Sequence, residues 1–253
     1  MSKKVKWNGA VQPEAIEVMN TEGGVIVSPT KVGYIIMTKD MKGLERKFAA
    51  KRRKRSKPAV ALCGSLEEFR ELALYDEKIL KLYEMHWEQD VLLGCILPWS
   101  EKGRERLRKA GTEELATDER GTSCFVVKFG KPSELIAKKM WDDSETICFA
   151  SSANPSGVGN KGKVANIGER IDSMVDLVID GDEYVHSIQP NESEETRYEQ
   201  GVMLSFVDDQ GKLLVDGQAP YPMLIRKGLD CDKIMRNMSK LYNSWDYRHG
   251  AYH

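Results

Sequence analysis

The chain has 253 residues, of which 41% are hydrophobic and 30% are charged, and its formal net charge is −1. This composition supports one large folded domain and excludes a chain that is disordered throughout. The net charge gives no support for nucleic-acid binding by the protein as a whole. Positive charge is, however, concentrated at residues 46–57 and acidic charge at residues 192–199.

The first predicted elements are a short amphipathic helix at residues 15–19 and a buried strand at residues 25–27, just after Gly23 and Gly24. The sequence Ser28, Pro29, Thr30 predicts a turn that ends this strand and places the Thr30 hydroxyl at its edge. A helix is expected next, with apolar residues at helical spacing around Leu44.

A basic run follows this helix and ends at Pro58. Like charges at this density repel one another unless they are solvated or face an anion. A second polar loop, at residues 151–157, follows a later apolar run. Both segments lie at predicted strand ends, which indicates a site for nucleotide phosphates. The alternatives are a solvated or nucleic-acid-binding face for the basic run, and simple turn capping for the polar loop. The basic residues are Lys51, Arg52, Arg53, Lys54, Arg55 and Lys57.

The remaining pattern interleaves strands with helices. Ser65 and Glu68 form a predicted capping box, and Ser133 is a predicted helix cap. Strands are predicted at 59–63, 91–97, 123–129, 146–150 and 176–179, helices at 66–74, 76–87, 101–110, 133–141, 167–174 and 232–242, and a hairpin at 201–215. This order predicts an α/β fold with a mixed sheet. One domain is expected over residues 1–235, followed by the end of the last helix and a tail at 236–253.

Several classes of site and location are not expected. The five cysteines form no CxxC pair and lie mostly in apolar runs, so they are interpreted as buried thiols in a reducing compartment. The four histidines have no metal-ligand spacing, and no protein-held metal is predicted. No stretch is apolar enough to span a membrane and the start carries no apolar leader, so a cytoplasmic protein without membrane contact is expected.

Four motifs, in order, resemble those of the YrdC-like family, the threonylcarbamoyl-AMP synthases. The residues that carry the resemblance are Gly23-Gly24 with Pro29-Thr30, Lys51-Arg52-Arg53 with Lys57-Pro58, Ser152-Ala153-Asn154 with Ser156-Gly157, and Leu224 with Arg226 and Gly228. Each motif is weak alone. The ordered set is specific, and it identifies the chain as a divergent member of this family.

The resemblance implies a twisted α/β sheet flanked by helices around a basic cavity. It also implies a nucleotidyltransferase that joins L-threonine, bicarbonate and ATP into threonylcarbamoyl-AMP and pyrophosphate, for modification of tRNA, with Mg²⁺ on the phosphates. By motif position, the triphosphate would be held by Lys51, Arg53 and Lys57, of which Lys51 and Arg53 are the predicted catalytic residues. The nucleotide would also be contacted by Ser152, Asn154 and Arg226, and the amino acid by Thr30.

The chain departs from the family pattern mainly near the expected amino-acid pocket. Lys31 stands where the family has an acidic residue, so it is predicted to repel an α-ammonium group and to favour an extra carboxylate or phosphate. Lys128-Phe129-Gly130 replaces an Arg-x-Pro segment, and two further family segments are not recognisable at 88–94 and 201–205. The nucleotide half of the site is therefore predicted to be better kept than the amino-acid half.

Three functional hypotheses remain open at this point. The first is a synthase that forms a carbamoyl-adenylate from ATP, bicarbonate and threonine or another amine. The second is a non-catalytic protein that binds nucleotide or RNA, and the third is a carbamoyl-transfer enzyme that uses a ready-made carbamoyl donor. For individual residues, an ordinary turn hydroxyl is the alternative for Thr30, and a surface salt bridge is the alternative for Arg226.

Overall fold

The computed structural model describes residues 2–52, 58–155, 158–193, 195 and 198–248, and within these ranges eleven strands form a single sheet. The strands are β1 (Lys3–Lys6), β2 (Ile26–Thr30), β3 (Gly33–Thr38), β4 (Val60–Leu62), β5 (Leu93–Pro98), β6 (Thr122–Val127), β7 (Cys148–Ser152), β8 (Leu177–Asp180), β9 (Met203–Ser205), β10 (Met223–Arg226) and β11 (Asp246–Tyr247). Their order is β1-β8-β2-β3-β7-β4-β6-β5-β9-β10-β11, with parallel and antiparallel pairs.

Helices pack on both faces of this sheet. They are α1 (Pro13–Asn20), α2 (Met41–Lys51), α3 (Leu66–Leu72), α4 (Glu77–Glu88), α5 (Glu101–Ala110), α6 (Glu113–Ala116), α7 (Lys131–Ser144), α8 (Glu169–Met174), α9 (Asp182–Ile188) and α10 (Cys231–Leu241). The predicted class, an α/β fold with a mixed sheet flanked by helices, is confirmed. No helix in the described ranges is both long and apolar enough to cross a membrane.

Side-chain caps fix the starts of several helices. Asp40, Asp76 and Ser100 each accept a hydrogen bond from the backbone N–H three residues later, at 2.8 to 2.9 Å. Ser65 does the same for Glu68, at 3.0 Å, as the predicted capping box requires. The Glu68 carboxylate, however, accepts from Gly64, one residue before the expected donor, at 2.7 Å.

The two faces of the sheet carry different cores. A large cluster packs one face against α2, α3, α4, α5 and α10. The other face packs against α1 and α7 through a smaller cluster that includes Ile26, Met37 and Cys148. Burying both faces explains why most strands are apolar without alternation. Four of the five cysteines are buried free thiols, as predicted, while Cys231 is half-buried.

The strand and turn around Thr30 differ from the prediction. β2 continues through Ser28, Pro29 and Thr30, and the turn falls at Lys31 and Val32. A strand that was not predicted, β3, then returns antiparallel to β2. Proline is tolerated here because β8 pairs with β2 only at Ile26 and Val27, so the missing N–H of Pro29 removes no bond of that ladder.

Other elements also differ from the sequence predictions. Ser133 is not a cap: it lies inside α7, where its hydroxyl contacts Ser28 Oγ and Pro29 O at 2.8 Å each. The strand β1 and the helices α6 and α9 were missed. The hairpin is shorter than predicted, with a single bridge between Val207 and Leu213.

The chain after α10 returns to the sheet. β11 pairs in parallel with β10, through Met223 with Asp246 and Leu224 with Tyr247. The predicted boundary between residues 235 and 236 lies within α10. The division into a domain and a tail therefore stays a prediction, with a helix that runs through its proposed boundary.

Candidate functional site

One face of the sheet is covered by helices over only part of its width. Along β5 and β6, Cys95 and Phe125 belong to the large core, whereas their neighbours Ile96 and Val126 on the opposite face are half-buried. Met203 on β9 is half-buried in the same way. We call this side of the sheet the open face. The helices α1 and α7 cover it over β2, β3 and β7, and it is partly exposed over β5, β6 and β9. A partly exposed sheet face bordered by loops is a common place for a ligand.

Lys51 joins the end of α2 to the predicted phosphate loop. Its ammonium group donates to the backbone oxygen of Ser152 and, at 2.9 Å, to the Ser152 hydroxyl. Lys51 is only 8% exposed, although it belongs to the most basic segment of the chain. Ser152 pairs with Ile35 at the end of β7, so its side chain points to the open face. The structure thus brings together two residues that are 101 positions apart.

The rest of the two phosphate-binding motifs is only partly described. Asn154 is 9% exposed and its amide donates to Pro155 O at 3.0 Å, a local bond that matches the turn-capping alternative. Arg53 and Lys57, predicted to hold the triphosphate, lie outside the described residues. Their roles stay predictions.

Thr30 is closed inside the turn between β2 and β3. Its hydroxyl donates to Gly33 O at 2.7 Å and accepts from the N–H of Val32 at 3.2 Å. Pairing with Gly33 directs the side chain toward the open face, but Gly130 packs against its backbone and leaves Thr30 1% exposed. These bonds match the turn-hydroxyl alternative, and substrate contact by Thr30 stays a prediction.

A bulge turns Arg226 toward the open face. On β10, Leu224 pairs with Leu204, but Arg226 pairs with Met203 because the register shifts between them. Directly paired residues point to the same side of a sheet, so Arg226 shares the open face with Met203. Burial raises the pKa of nearby Cys124 to about 12, while the positive charge of Arg226 acts in the opposite direction. The Arg226 guanidinium also donates to Gly201 O at 3.0 Å.

A continuous series of contacts links these residues, and we call it the contact belt. From Ser152 it passes through β3, where Ala153 N–H donates to Tyr34 O at 2.7 Å, to the turn at Thr30 and Lys31. The side chain of Gln189 then donates to Lys31 O at 2.9 Å and to Glu199 O at 3.3 Å. Two residues further on, Gly201 accepts from Arg226. The described predicted residues are therefore connected by one series of contacts.

Lys31 ends in an ion-pair group that we call the Lys31 triad, formed by Lys31, Asp90 and Lys128. Lys31 Nζ lies 2.9 Å from one oxygen of the Asp90 carboxylate, and Lys128 Nζ lies 3.3 Å from the other. Partial burial raises the pKa of Asp90, but the two lysines outweigh this effect and hold the pKa below its ordinary value. The positive charge predicted at Lys31 is present, and Asp90 compensates it.

A hydrogen-bond network around Tyr34 also holds the strand β3, directly after the turn between β2 and β3. Tyr34 donates its hydroxyl hydrogen to Asp182 and accepts from the N–H of Gly181 at 3.0 Å. Burial, followed by the Asp182 contact, raises the pKa of Tyr34 well above its ordinary value. Asn160 donates to Tyr34 O at 3.3 Å, and Asp182 accepts from the N–H of Val164 at 2.8 Å. This network fastens residues 158–168 to the contact belt.

Sequence reasoning missed the residues that hold the site together. Asp90, Gln189, Asn160 and Asp182 carry no local motif, and each acts on a segment far away in the chain. One signal was present: Gly33 has φ of +96°, and a Cβ atom there would lie 2.1 Å from Asn160 Oδ1. A glycine directly before an apolar strand indicates such a close approach.

Two other features of the described residues bear on ligand binding. No group of three or more His, Cys, Asp or Glu side chains in them is placed to hold a metal ion. One cavity beside Trp7 and another beside Tyr242 contain none of the predicted site residues.

Comparisons with known proteins show the family and the fold of the chain. The Sua5/YciO/YrdC family model, described as "Telomere recombination", matches residues 19–192. A hypothetical protein of Streptococcus mutans UA159, smu.1377c, is 56% identical over the full length of both chains, with a TM-score of 0.93.

Two more distant structures share the twisted sheet flanked by helices. P. abyssi Sua5, solved in complex with L-threonine, is 20% identical over 96% of this chain and 62% of its own, with a TM-score of 0.66. E. coli YciO is 19% identical over 90% of this chain and 97% of its own, with a TM-score of 0.65. No match was found among curated proteins.

Proposed function

The chain belongs to the Sua5/YciO/YrdC family, and from this premise we propose that it is an ATP-using nucleotidyltransferase. Its reaction would join ATP, bicarbonate and an amino acid, threonine or another amine, into a carbamoyl-adenylate and release pyrophosphate. P. abyssi Sua5 in complex with L-threonine supports an amino acid as one substrate.

The observation that carries the proposal is the contact between Lys51 and Ser152. It joins the basic end of α2 to the Ser-Ala-Asn loop, the two motifs that the family resemblance assigns to phosphates. A lysine and a serine hydroxyl side by side form a donor pair suited to phosphate oxygens. Arg226, on the same face of the sheet, would support the nucleotide from the other side.

The chemistry needs positioning more than a protein nucleophile. The amine adds to bicarbonate, water leaves, and a carbamate forms. A carbamate oxygen then attacks the α-phosphorus of ATP, the bond from that phosphorus to the bridging oxygen breaks, and pyrophosphate leaves with the bond's electron pair. Cations that stay fixed while negative charge moves onto pyrophosphate lower the barrier. In this proposal Lys51 and Arg53 serve that purpose.

Mg²⁺ would enter with the nucleotide. Since the described residues contain no cluster of three potential metal ligands, phosphate oxygens are the natural ligands for the ion. When bound, Mg²⁺ would neutralise part of the phosphate charge. We further propose that the product serves tRNA modification in the cytoplasm, as the family resemblance implies, with contact to RNA as a related expectation.

The test is pyrophosphate release from ATP and bicarbonate, screened across amino acids, with controls that lack the amine or the bicarbonate. We expect release that requires both. Release with threonine would make the chain a threonylcarbamoyl-AMP synthase, and release with another amine would make it a synthase of changed specificity. No release with any amine, together with measurable ATP or RNA binding, would contradict synthesis and favour a binding protein.

A further inference from the structure

The Lys31 triad is built around one carboxylate. Each oxygen of the Asp90 carboxylate faces its own ammonium group, at 2.9 Å from Lys31 and 3.3 Å from Lys128. The lysine side chains are 6% and 17% exposed, whereas the Asp90 side chain is 66% exposed. The Asp90 carboxylate therefore compensates two cations that are largely removed from solvent, and the partly buried carboxyl of Glu134 also feels both lysines.

Both ammonium groups have contacts besides the Asp90 carboxylate, and Lys31 Nζ also donates to the backbone oxygen of Asp90. Lys128 Nζ lies 4.3 Å from the centre of the Trp87 ring. The backbone of Lys31 is bonded on both sides, to Phe129 O at 2.9 Å and from Gln189 at 2.9 Å. The carboxylate of Asp90 is the member that faces solvent, and a second carboxylate is able to take its place without uncovering the cations.

Asp90 and Lys128 both adopt left-handed conformations, with φ of 52° and 55°. Non-glycine residues adopt such angles infrequently, and where they do the surrounding structure must impose them. Asp90 directly follows the end of α4, where this conformation is common, whereas at Lys128 the surrounding structure imposes it.

The contact belt indicates how a bound substrate would be oriented at the Lys31 triad. Lys51 and Ser152 lie at one end of the belt, and Lys31 lies further along it, in the turn between β2 and β3. The carbamate formed from the amine must reach the α-phosphorus, so the substrate nitrogen would lie toward Lys51 and Ser152. The part of the substrate farthest from the reacting nitrogen would then approach Lys31 and Lys128.

We propose that the substrate is an amino acid with a carboxylate on its side chain, and that Lys31 and Lys128 bind this carboxylate in place of Asp90. The inference rests on the proposed function for the direction of the substrate. Exchange of one carboxylate for another keeps both buried cations compensated. A neutral side chain has no means of displacing Asp90.

The experiment is calorimetric binding of matched amino-acid pairs to the full chain, with and without a non-hydrolysable ATP analogue. Glutamate is compared with glutamine, aspartate with asparagine, and threonine is a further ligand. We expect at least one acidic amino acid to bind about tenfold or more tightly than its amide, since only the charge differs. Lys31→Met and Lys128→Met should remove this preference.

Asp90→Asn should strengthen binding of the acidic ligand by about tenfold, because it removes the internal competitor and keeps both cations. The control is Asp143→Asn, which changes the same charge in an exposed pair with Lys139 on α7. Thermal unfolding of every variant checks that it is folded, and Asp90→Asn tests the idea without loss of a buried lysine.

Equal binding within each pair, tighter binding of threonine than of either acid, or weaker binding by Asp90→Asn would each overturn the inference. So would absence of acidic amino-acid binding both with and without the analogue. None of these results affects the proposed function, which fails only if no amine supports pyrophosphate release.

Discussion

Lys51 and Lys31 are two buried lysines of the contact belt, 8% and 5% exposed, but their surroundings differ. Lys51 donates to the backbone oxygen and the hydroxyl of Ser152 in the predicted phosphate loop. Lys31 pairs with the carboxylate of Asp90, which also faces Lys128. One lysine is thus placed beside hydroxyl and carbonyl oxygens of a loop, and the other belongs to an internal ion-pair group.

The difference separates what the family shares from what is particular to this chain. The motifs around Lys51 and Ser152 resemble those of the family, and the fold brings Lys51 and Ser152 into contact. At Lys31 the sequence departs from the pattern, and the structure supplies a compensating acid that lies 59 positions away. The resemblance therefore supports the nucleotide half of the site, whereas the amino-acid half must be argued from its own residues.

The largest effect is expected from Gly33→Ala, because Gly33 has a left-handed backbone conformation and no room for a Cβ atom. Its φ is +96°, and the new Cβ would lie 2.1 Å from Asn160 Oδ1. That side chain is held by Tyr34 O and by the N–H of Gly162. We expect a loss of about 2–4 kcal/mol in the free energy of unfolding, from strain and displacement of Asn160 together, measured by urea denaturation.

The matched control for this prediction is Gly9→Ala. Gly9 has a similar φ of +87°, but a Cβ there meets no atom within 4 Å. The free energy of unfolding of this variant should fall by about 1 kcal/mol, which is the cost of the strained backbone angle alone. Equal losses in the two variants would mean that Asn160 moves away freely, and that the belt is not rigid at this point.

Lys51→Ala tests the nucleotide end directly. The loss of a charge-assisted contact should weaken ATP binding by about 1–3 kcal/mol. Lys42→Ala is the control, since Lys42 lies on the same helix but is exposed and pairs with Glu22. Calorimetry with both variants measures the difference. Wild-type affinity of Lys51→Ala would remove this lysine from the nucleotide site.

Local patterns predicted the parts of the fold that depend on neighbouring residues. The cap at Ser65, the start of α4 and most apolar strands follow from sequence because each needs only a few adjacent positions. β3 was missed because its residues are almost all buried, so the strand has no polar alternation. The basic run and the Ser152 loop were found by composition and motif.

The contacts that shape the site depend on distant pairs. Arg226 reaches the open face only because a bulge shifts the register of β10 against β9, and no residue type in that segment signals the shift. The pairing of Lys31 with Asp90 likewise follows from how the end of α4 meets the turn after β2. Such geometry is a property of the whole fold.

Tyr34→Phe should have an intermediate effect and tests how residues 158–168 support the belt. Removal of the hydroxyl leaves the buried N–H of Gly181 and the Asp182 carboxylate without that partner, at a cost of about 1–2 kcal/mol in unfolding free energy. ATP affinity should fall a few-fold, about 0.5–1 kcal/mol. The reason is that the Tyr34 hydroxyl helps to fix the strand whose backbone oxygen, Tyr34 O, accepts from Ala153 beside Ser152.

Tyr83→Phe is the control for Tyr34→Phe, since the Tyr83 hydroxyl is also buried and donates to a backbone oxygen, Phe125 O, at 2.8 Å. It should lose similar stability without a change in ATP affinity. If both variants bind ATP equally well, the network around Tyr34 stabilises the fold but does not reach the nucleotide end.

The smallest effect is expected from Asp90→Asn on stability, and its pH dependence reports the charge at the Lys31 end. Because the folded-state pKa of Asp90 is lowered, its ion pairs stabilise the protein above the ordinary pKa, and this contribution is lost as the pH falls through the folded-state value. Since the side chain is 66% exposed, solvent screening limits the loss at neutral pH to about 1 kcal/mol or less.

Urea denaturation of wild type and Asp90→Asn between about pH 3 and pH 7 should therefore give curves of unfolding free energy against pH that converge toward acid pH. Asp143→Asn, in its exposed pair with Lys139, should lose less at every pH. Curves that stay parallel would mean that Asp90 holds its place by hydrogen bonding rather than by charge, and the contrast between the two lysines would then lose its electrostatic basis.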